Sequence, residues 1–388
     1  MFLENRIIIG MTGPFGSGCT YISKEFLEPS GYHYLSLSDI LRSFVPSDAE
    51  LSRTELQDFG NKLRTENGPD YLAVKACEII DKSDEEKWVI DSIRNTHEIE
   101  LLKKTFGSFY LIATWADQET RWNRIEKRYD RNRVKFEEDD TRDSREKDET
   151  GQQVSLCYQM ADVIILNENH IISKETDNYE ELRKTVQRYI DIIEQKEKFY
   201  PSEQETLMTM AYANSMRSSC LQRKVGAIII DDYGNVFSSG YNEVPNLERP
   251  CKQTYGKCYR KYLREKFAEE LTEIIEDQET STKVVDAVKV HFKGLDYCRA
   301  LHAEESAIVN MARLGSPKNL SNATLYTTTY PCNLCANKIA HVSIRSIVYF
   351  EPYPQREAKE ILRRHNVKQI PFAGVTFNGY FRFMEVLR

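Results

Sequence analysis

His302-Ala303-Glu304 and, thirty residues beyond the histidine, Pro331-Cys332-Asn333-Leu334-Cys335 each stand where an extended segment gives way to a helical pattern. His302 precedes Ala307, Ile308 and Met311, and Cys332 precedes Ala336, Ile339 and Ala340, spacings that gather apolar residues on one helical face. One imidazole and two thiolates are donors for a tetrahedral zinc ion, and three protein ligands leave the fourth position to water, as in a catalytic rather than a structural site. Helix N-termini carry partial positive charge, which favours the thiolates such a metal requires. Glu304 lies two residues from His302 and suits a group that faces the water without ligating the metal. Glu305 is its rival for acid/base work, but the H-x-E pattern puts the acid second after the histidine.

Outward from these stretches the chain reads as a layered α/β unit. Val225 to Ile230 and Asn235 to Tyr241 flank Asp231-Asp232-Tyr233-Gly234, a hairpin signal. Thr324 to Thr329 and Ser346 to Phe350 supply two more strands, each adjoining a helical pattern. Upstream, Ser202 and Glu205 have capping-box spacing before Leu207, Met208, Ala211 and Tyr212, which marks a domain start. A charged stretch over about 259–296, with helix-prone segments such as Tyr262 to Asp277, reads as an insertion. The second domain is therefore expected over 201–388, joined to the first by a polar helical linker over 173–200.

The first half opens on Ile7 to Met11, then Thr12-Gly13-Pro14-Phe15-Gly16-Ser17-Gly18-Cys19-Thr20 and a helical pattern through Phe26: strand, glycine-rich loop, helix. Trp88 to Asp91, Phe109 to Thr114 and Asp162 to Leu166 add buried-strand signals between helical stretches, so a parallel sheet with helices on both faces is predicted over 1–172. Gly13, Gly18 and Thr20 fit the phosphate loop G-x-x-x-x-G-K-[ST], with Gly16 and Ser17 inside it, but Cys19 stands at the lysine position. Loop amides and the helix start still suit phosphate, and Thr20 with Asp91 offers oxygen ligands for Mg²⁺. The missing lysine removes the cation that bridges the outer phosphates during transfer. Nucleotide binding is thus expected ahead of kinase turnover, beside the reading of the loop as a structural relic. Two readings also stand for the highly charged run Arg121 to Lys147: a solvated surface element, or a cover over a nucleotide.

A length of 388 residues exceeds what one hydrophobic core organises and agrees with two domains. Ile7 to Ile9 is too short for a membrane span or a signal core, so a cytoplasmic protein with no membrane partner is expected. A net charge of -7 argues against a protein that tracks long nucleic acids, although a local basic patch stays open. Nine cysteines without a secretion signal point to metal ligation rather than a disulfide framework.

With these residues in view, 205 to about 355 resembles the deoxycytidylate deaminases of the cytidine deaminase superfamily. The matching residues are Cys220, Lys224-Val225-Gly226-Ala227, Gly240-Tyr241-Asn242, Leu301-His302-Ala303-Glu304 with Ala307-Ile308, and Tyr330-Pro331-Cys332-Asn333-Leu334-Cys335-Ala336. The resemblance implies zinc-dependent hydrolytic deamination of dCMP, dCTP or both, with Glu304 as acid and base. It implies that Asn242 contacts the sugar and that the backbone at Ala303 and Tyr330 holds the pyrimidine. Arg313 matches a family arginine that supports the active site across a subunit interface, and it reads equally as a surface residue at a helix end. Cys220, Cys251, Cys258 and Cys298 resemble a second, structural zinc site, from which the charged insertion makes Cys258 depart most. Position 306 is Ser where related sequences often have Asn.

The first half resembles deoxynucleotide and dephospho-coenzyme A kinases in its loop, in Trp88 to Arg94 and in Ala161-Asp162-Val163-Ile164-Ile165-Leu166-Asn167. A damaged phosphate loop joined to such a deaminase resembles the bacterial antiphage dCTP deaminases, which drain deoxycytidine nucleotides during infection. That family implies a nucleotide-sensing first domain, a homo-oligomer and, in some relatives, an inhibitory RNA partner. A housekeeping dCMP deaminase for thymidylate synthesis, a deaminase of tRNA or single-stranded DNA, and a nucleotide-binding regulator are the competing readings.

Overall fold

A computed structural model describes residues 6–46, 51–144, 151–168, 177–275, 277–291, 297–315, 320–352 and 356–385. The chain divides into two units, Met1–Glu205 with Ala373–Arg388, and Thr206–Phe372. The first unit holds strands β1 (Ile7–Thr12), β2 (His33–Ser36), β3 (Lys87–Asp91), β4 (Ser108–Trp115) and β5 (Val163–Leu166). The second holds β6 (Gly226–Ile230), β7 (Val236–Tyr241), β8 (Thr324–Thr329), β9 (Ser346–Glu351) and β10 (Lys368–Pro371), after which β11 (Gly374–Val375) returns to the first.

The first sheet has the order β11-β5-β4-β1-β3-β2. β1 runs parallel to both neighbours, Ile9 lying opposite Val89 of β3 and Tyr110 of β4. Ile8, Ile9, Val89, Ile90, Phe109, Leu111 and Val163 are wholly buried, as expected of near-continuous apolar runs in a parallel sheet covered on both faces. The predicted parallel sheet is thus present, with two strands the sequence did not signal: β2, parallel to β3, and β11, antiparallel to β5, pairing Gly374 with Ile164 and Val375 with Val163.

Two expected boundaries need correction. The expected helical linker of 173–200 does contain a helix, Asp177–Ile193, but that helix packs into the first unit and is no free connector; 173–176 lies outside the described residues. Tyr179, Leu182, Val186, Tyr189, Ile190 and Ile193 form one face of it and join the core against Ile9, Phe26 and Val163. The second domain also does not run to 388, because Val375 and Phe383 belong to that same core. Glu205 fixes the returning chain: its buried carboxylate accepts from Ser202 N at 2.7 Å in the predicted capping box and from Val375 N at 2.8 Å.

The second unit has a five-stranded sheet of order β10-β9-β8-β6-β7. The predicted hairpin is β6 against β7, antiparallel, and β6 is also antiparallel to β8, while β8, β9 and β10 run parallel. Ala303, Ala307, Met311, Ala336 and Ile339 pack on Ala227, Ile229, Leu325 and Ile347, so the two helices that follow the signature residues cover one core. Gly240 lets the first of them approach: a Cβ there would meet the backbone at Ala303 O and Ala307 N, both at 2.3 Å. Within the charged insertion the helices are Tyr259–Ile274 and Gln278–His291, and 276 and 292–296 lie outside the described residues.

Candidate active site

Backbone geometry at two helix starts builds the site. His302 is the N-cap of Ala303–Leu314 and Cys332 the N-cap of Asn333–His341, both with extended φ and ψ that turn a side chain back over the first helical turn. His302 Nδ1 lies 3.3 Å from Cys332 Sγ and 3.4 Å from Cys335 Sγ. Among the described residues these three alone form a group of histidine, cysteine or acidic side chains whose ligand atoms all lie within 4.8 Å of one another. Glu304 is buried beside them, its Oε2 3.6 Å from Cys335 Sγ.

Proton affinities in the cluster describe a place that wants a cation. Hydrogen bonds to Cys298 and Cys332 lift the His302 imidazole to about 10. The Cys332 thiol falls to about 4, chiefly through its hydrogen bond with Cys335 and then through His302, while Cys335 is raised well above the usual thiol range by that same bond and by burial. Burial raises Glu304. Two sulfurs, an imidazole and a carboxylate packed this closely suit a soft divalent ion, and the donor set fits zinc.

Glu305 is diverted from the cluster. Its carboxylate accepts from His302 N at 3.4 Å and pairs with Lys338 at 3.2 Å, so it caps the helix instead of facing the sulfurs. Asn242 is nearly buried, with Oδ1 accepting from Val225 N and Nδ2 donating to Arg223 O, each at 2.7 Å. Ala303 is fully buried at the first helical position. Tyr330 is buried, packs edge-on against Tyr349 and donates its hydroxyl to Gln369, while its N–H goes to Glu351 O at 3.2 Å. Arg313 is exposed in the last turn of its helix.

Residues 201–351 match the model of the cytidine and deoxycytidylate deaminase zinc-binding region. The deoxycytidylate deaminase of Mycobacterium phage D29 is 30% identical over 149 residues, covering 38% of this chain and 94% of that one. The chain belongs to the deoxycytidylate deaminase family. The Schizosaccharomyces pombe deoxycytidylate deaminase is 29% identical over 184 residues, and the match spans 47% of this chain but only 45% of the yeast protein. The N-terminal part is similar to a UPF0200 protein of Methanothermobacter thermautotrophicus, 29% identical over 188 residues, 47% of this chain and 93% of the relative.

In this deaminase the other four predicted ligands, Cys220, Cys251, Cys258 and Cys298, line one cavity together with Glu243. Their sulfurs do not draw together as the first cluster does, and the Cys298 thiol is hydrogen-bonded to His302, which lowers its pKa.

At the glycine-rich loop, Gly13, Gly16 and Gly18 all have positive φ, and Gly18 caps the helix that begins at Cys19. Cys19 turns inward, donating to Thr12 O at 3.2 Å beside the buried Ser17, and burial pushes its thiol up to about 11. Thr20 and Asp91, the residues expected to serve Mg²⁺, lie side by side. Thr20 Oγ1 donates to Asp91 Oδ2 at 2.6 Å, and that carboxylate also accepts from Tyr34 OH at 2.9 Å and Ser92 N at 2.6 Å.

Sequence reasoning missed two arginines that hold this loop. Arg124 donates to Gly16 O, Ser17 O and Asn167 O at 3.2, 3.3 and 2.6 Å. Arg121, nearly buried, donates to Phe15 O at 3.2 Å and pairs with Asp140 at 2.6 Å. The run from Arg121 is therefore not a solvated surface element up to 144, because Trp122, Ile125, Tyr129 and Phe136 make a core with Phe15; 145–147 lies outside the described residues.

Proposed function

We propose that this chain hydrolyses the exocyclic amine of a deoxycytidine nucleotide, converting dCMP, dCTP or both to the deoxyuridine nucleotide and ammonia. The observation that carries this reading is the meeting of His302, Cys332 and Cys335 beside the buried Glu304. A zinc ion held by the three ligands supplies the Lewis acidity that makes water a nucleophile at neutral pH. Glu304 takes the proton from the attacking water, whose oxygen bonds to the carbon carrying the amine. It passes that proton to the ring nitrogen, then takes a second from the hydroxyl now on the carbon and delivers it to the amine nitrogen as the C–N bond breaks, leaving a carbonyl and ammonia. Burial favours this role, because raising the carboxyl pKa makes Glu304 a better proton carrier between partners. Each end of the Asn242 amide retains one further hydrogen-bonding position, consistent with a sugar contact beside its ties to Val225 and Arg223.

The first unit serves as a nucleotide sensor for this chemistry, and depletion of dCTP during phage infection is the physiological outcome. The absent lysine at Cys19 supports sensing over phosphoryl transfer. Cys220, Cys251, Cys258 and Cys298 brace the loop after Asn242 with a second zinc, supported by their shared cavity, and two zinc ions per chain in the purified protein would bear this out.

The competing assignment is a housekeeping enzyme restricted to dCMP, favoured by the names of the phage and yeast relatives. Ammonia release from dCMP, dCTP and a cytosine-containing oligonucleotide separates the possibilities. Turnover of dCTP supports the depletion role, turnover of dCMP alone the housekeeping one, and turnover of the oligonucleotide alone removes both. Nucleotide profiling of cells carrying the chain, with and without phage, then tests the physiological claim.

A further inference from the structure

The charged insertion of the second unit contains the helix Tyr259–Ile274, and none of its 16 residues is buried. A helix of that length standing alone in water is marginal, so tertiary contact is what normally keeps one folded. The following helix, Gln278–His291, packs beside it and buries its own Ser281 and Val285, but Phe267 stays 38% exposed and Ile274 77%. With the half-buried Leu263 and Leu271, these two make a stripe whose spacing puts all four side chains on one helical face.

Charge follows an unusual order along the same helix. Arg260, Lys261, Arg264 and Lys266 fill its N-terminal half beside one acid, Glu265, whereas Glu269, Glu270 and Glu273 fill its C-terminal half with no base. The helix dipole favours the reverse, acids at the start and bases at the end. Ion pairs within the segment answer part of this imbalance: Lys257 meets Glu265 at 2.6 Å, and Lys266 meets Glu270 at 3.7 Å. Lys261 in the one half and Glu269 and Glu273 in the other stay exposed.

A helix charged in this order is complementary to itself run backwards. Two of them laid antiparallel bring the basic half of each against the acidic half of the other, oppose their dipoles and cover one apolar stripe with the other. Laid parallel, they would set like charges together. We infer that Tyr259–Ile274 is an interface for a second copy of this chain, packed antiparallel through Leu263, Phe267, Leu271 and Ile274, with the flanking charges fixing the direction. The helix is about 24 Å long, so the contact is modest and the assembly reversible. It shares no residue with the His302 cluster, and the inference does not rest on the deaminase chemistry.

Sedimentation velocity of the full chain over a concentration series tests this with two charge variants, all of whose altered positions are exposed. Glu269→Lys with Glu273→Lys makes the helix basic throughout, and Lys261→Glu with Lys266→Glu makes it mainly acidic. Each variant alone should associate at least about tenfold more weakly than the unaltered chain, because like charges then meet across the contact. An equimolar mixture of the two should associate again, a recovery that no effect within a single chain can produce. Phe267→Ser with Ile274→Ser should weaken association in the unaltered background. The inference is overturned by an unaltered chain that sediments as a monomer throughout, by charge variants or a Phe267→Ser, Ile274→Ser chain that assemble as the unaltered chain does, or by a mixture that assembles no better than its components. Ammonia release from dCMP is a separate readout, so either reading can fail without the other.

Discussion

Glu304 brings a carboxylate oxygen to 3.6 Å from the Cys335 sulfur, inside the second unit, while Glu305, the next residue, points its own carboxylate at a helix N–H and at Lys338. Two adjacent acids thus face different partners, one the sulfur of the ligand cluster and the other a helix start and a lysine.

Glu304→Gln keeps the size of the side chain and removes its capacity to carry a proton. Ammonia release from the preferred deoxycytidine nucleotide should fall by about 10²–10⁴-fold, the usual contribution of acid/base catalysis. Zinc measured by elemental analysis should stay at the level of the unaltered chain. Glu305→Gln should cost far less activity. A Glu304→Gln enzyme that turns over at full rate would remove Glu304 from the reaction.

Gly240→Ala places a methyl against the main chain of the helix that starts at His302, with 2.3 Å to both Ala303 O and Ala307 N. Backbone cannot swing aside as a side chain does, so the helix must shift. Stability in denaturant should drop by about 1–3 kcal/mol, the typical cost of overpacking, and activity should fall with it. Unchanged stability and turnover would show that this approach is looser than described.

Acid sensitivity of the first unit should trace in part to Glu194. Burial alone would raise its pKa, but hydrogen bonds from Lys196, Lys87 and Tyr32 outweigh that and hold it below the ordinary carboxylate range. A carboxyl depressed by folding contributes its full stability above its unfolded pKa of about 4.3 and loses it as pH falls through the lower folded value. Glu194→Gln should therefore be less stable than the parent at neutral pH, with the gap closing below about pH 4. Parallel stability curves across that window would refute the assignment.

Phe383 belongs to the core of the first unit, stacked on Tyr110 with ring centres 5.5 Å apart. Phe383→Ala should destabilise that unit by about 3–5 kcal/mol, the range for removing a large buried aromatic. Proteolysis of the two units at increasing temperature would show which one opens first. If only fragments of 206–372 appeared early, the packing of the C-terminal segment would be wrong.

The parts of this protein that were legible before the structure share a property: they are local. His302, Glu304, Cys332 and Cys335 sit at fixed spacings on two helix starts, and β1, β3, β4 and β5 are continuous apolar runs. What escaped was decided by distant partners. Arg121 and Arg124 lie in a run so charged that composition alone suggests solvent, yet their guanidiniums meet carbonyls of the glycine-rich loop about a hundred residues earlier. The helix Asp177–Ile193 was expected, but its place in the core was hidden in a similar way, because many charges on one face masked Leu182, Val186, Ile190 and Ile193 on the other. β11 is two residues long, too short to show any periodicity, and only its pairing with Val163 and Ile164 makes it a strand.

That short strand also sets an order of events during translation. A growing chain leaves the ribosome from its N-terminus, so Gly374 and Val375 emerge only after all of 206–372 has been made. Five strands of the first sheet must wait for their sixth while an entire enzyme unit is synthesised between them. A nascent chain stalled before that point would display β5 with an open edge, and binding partners of the first unit would meet its finished form only once the second had been produced.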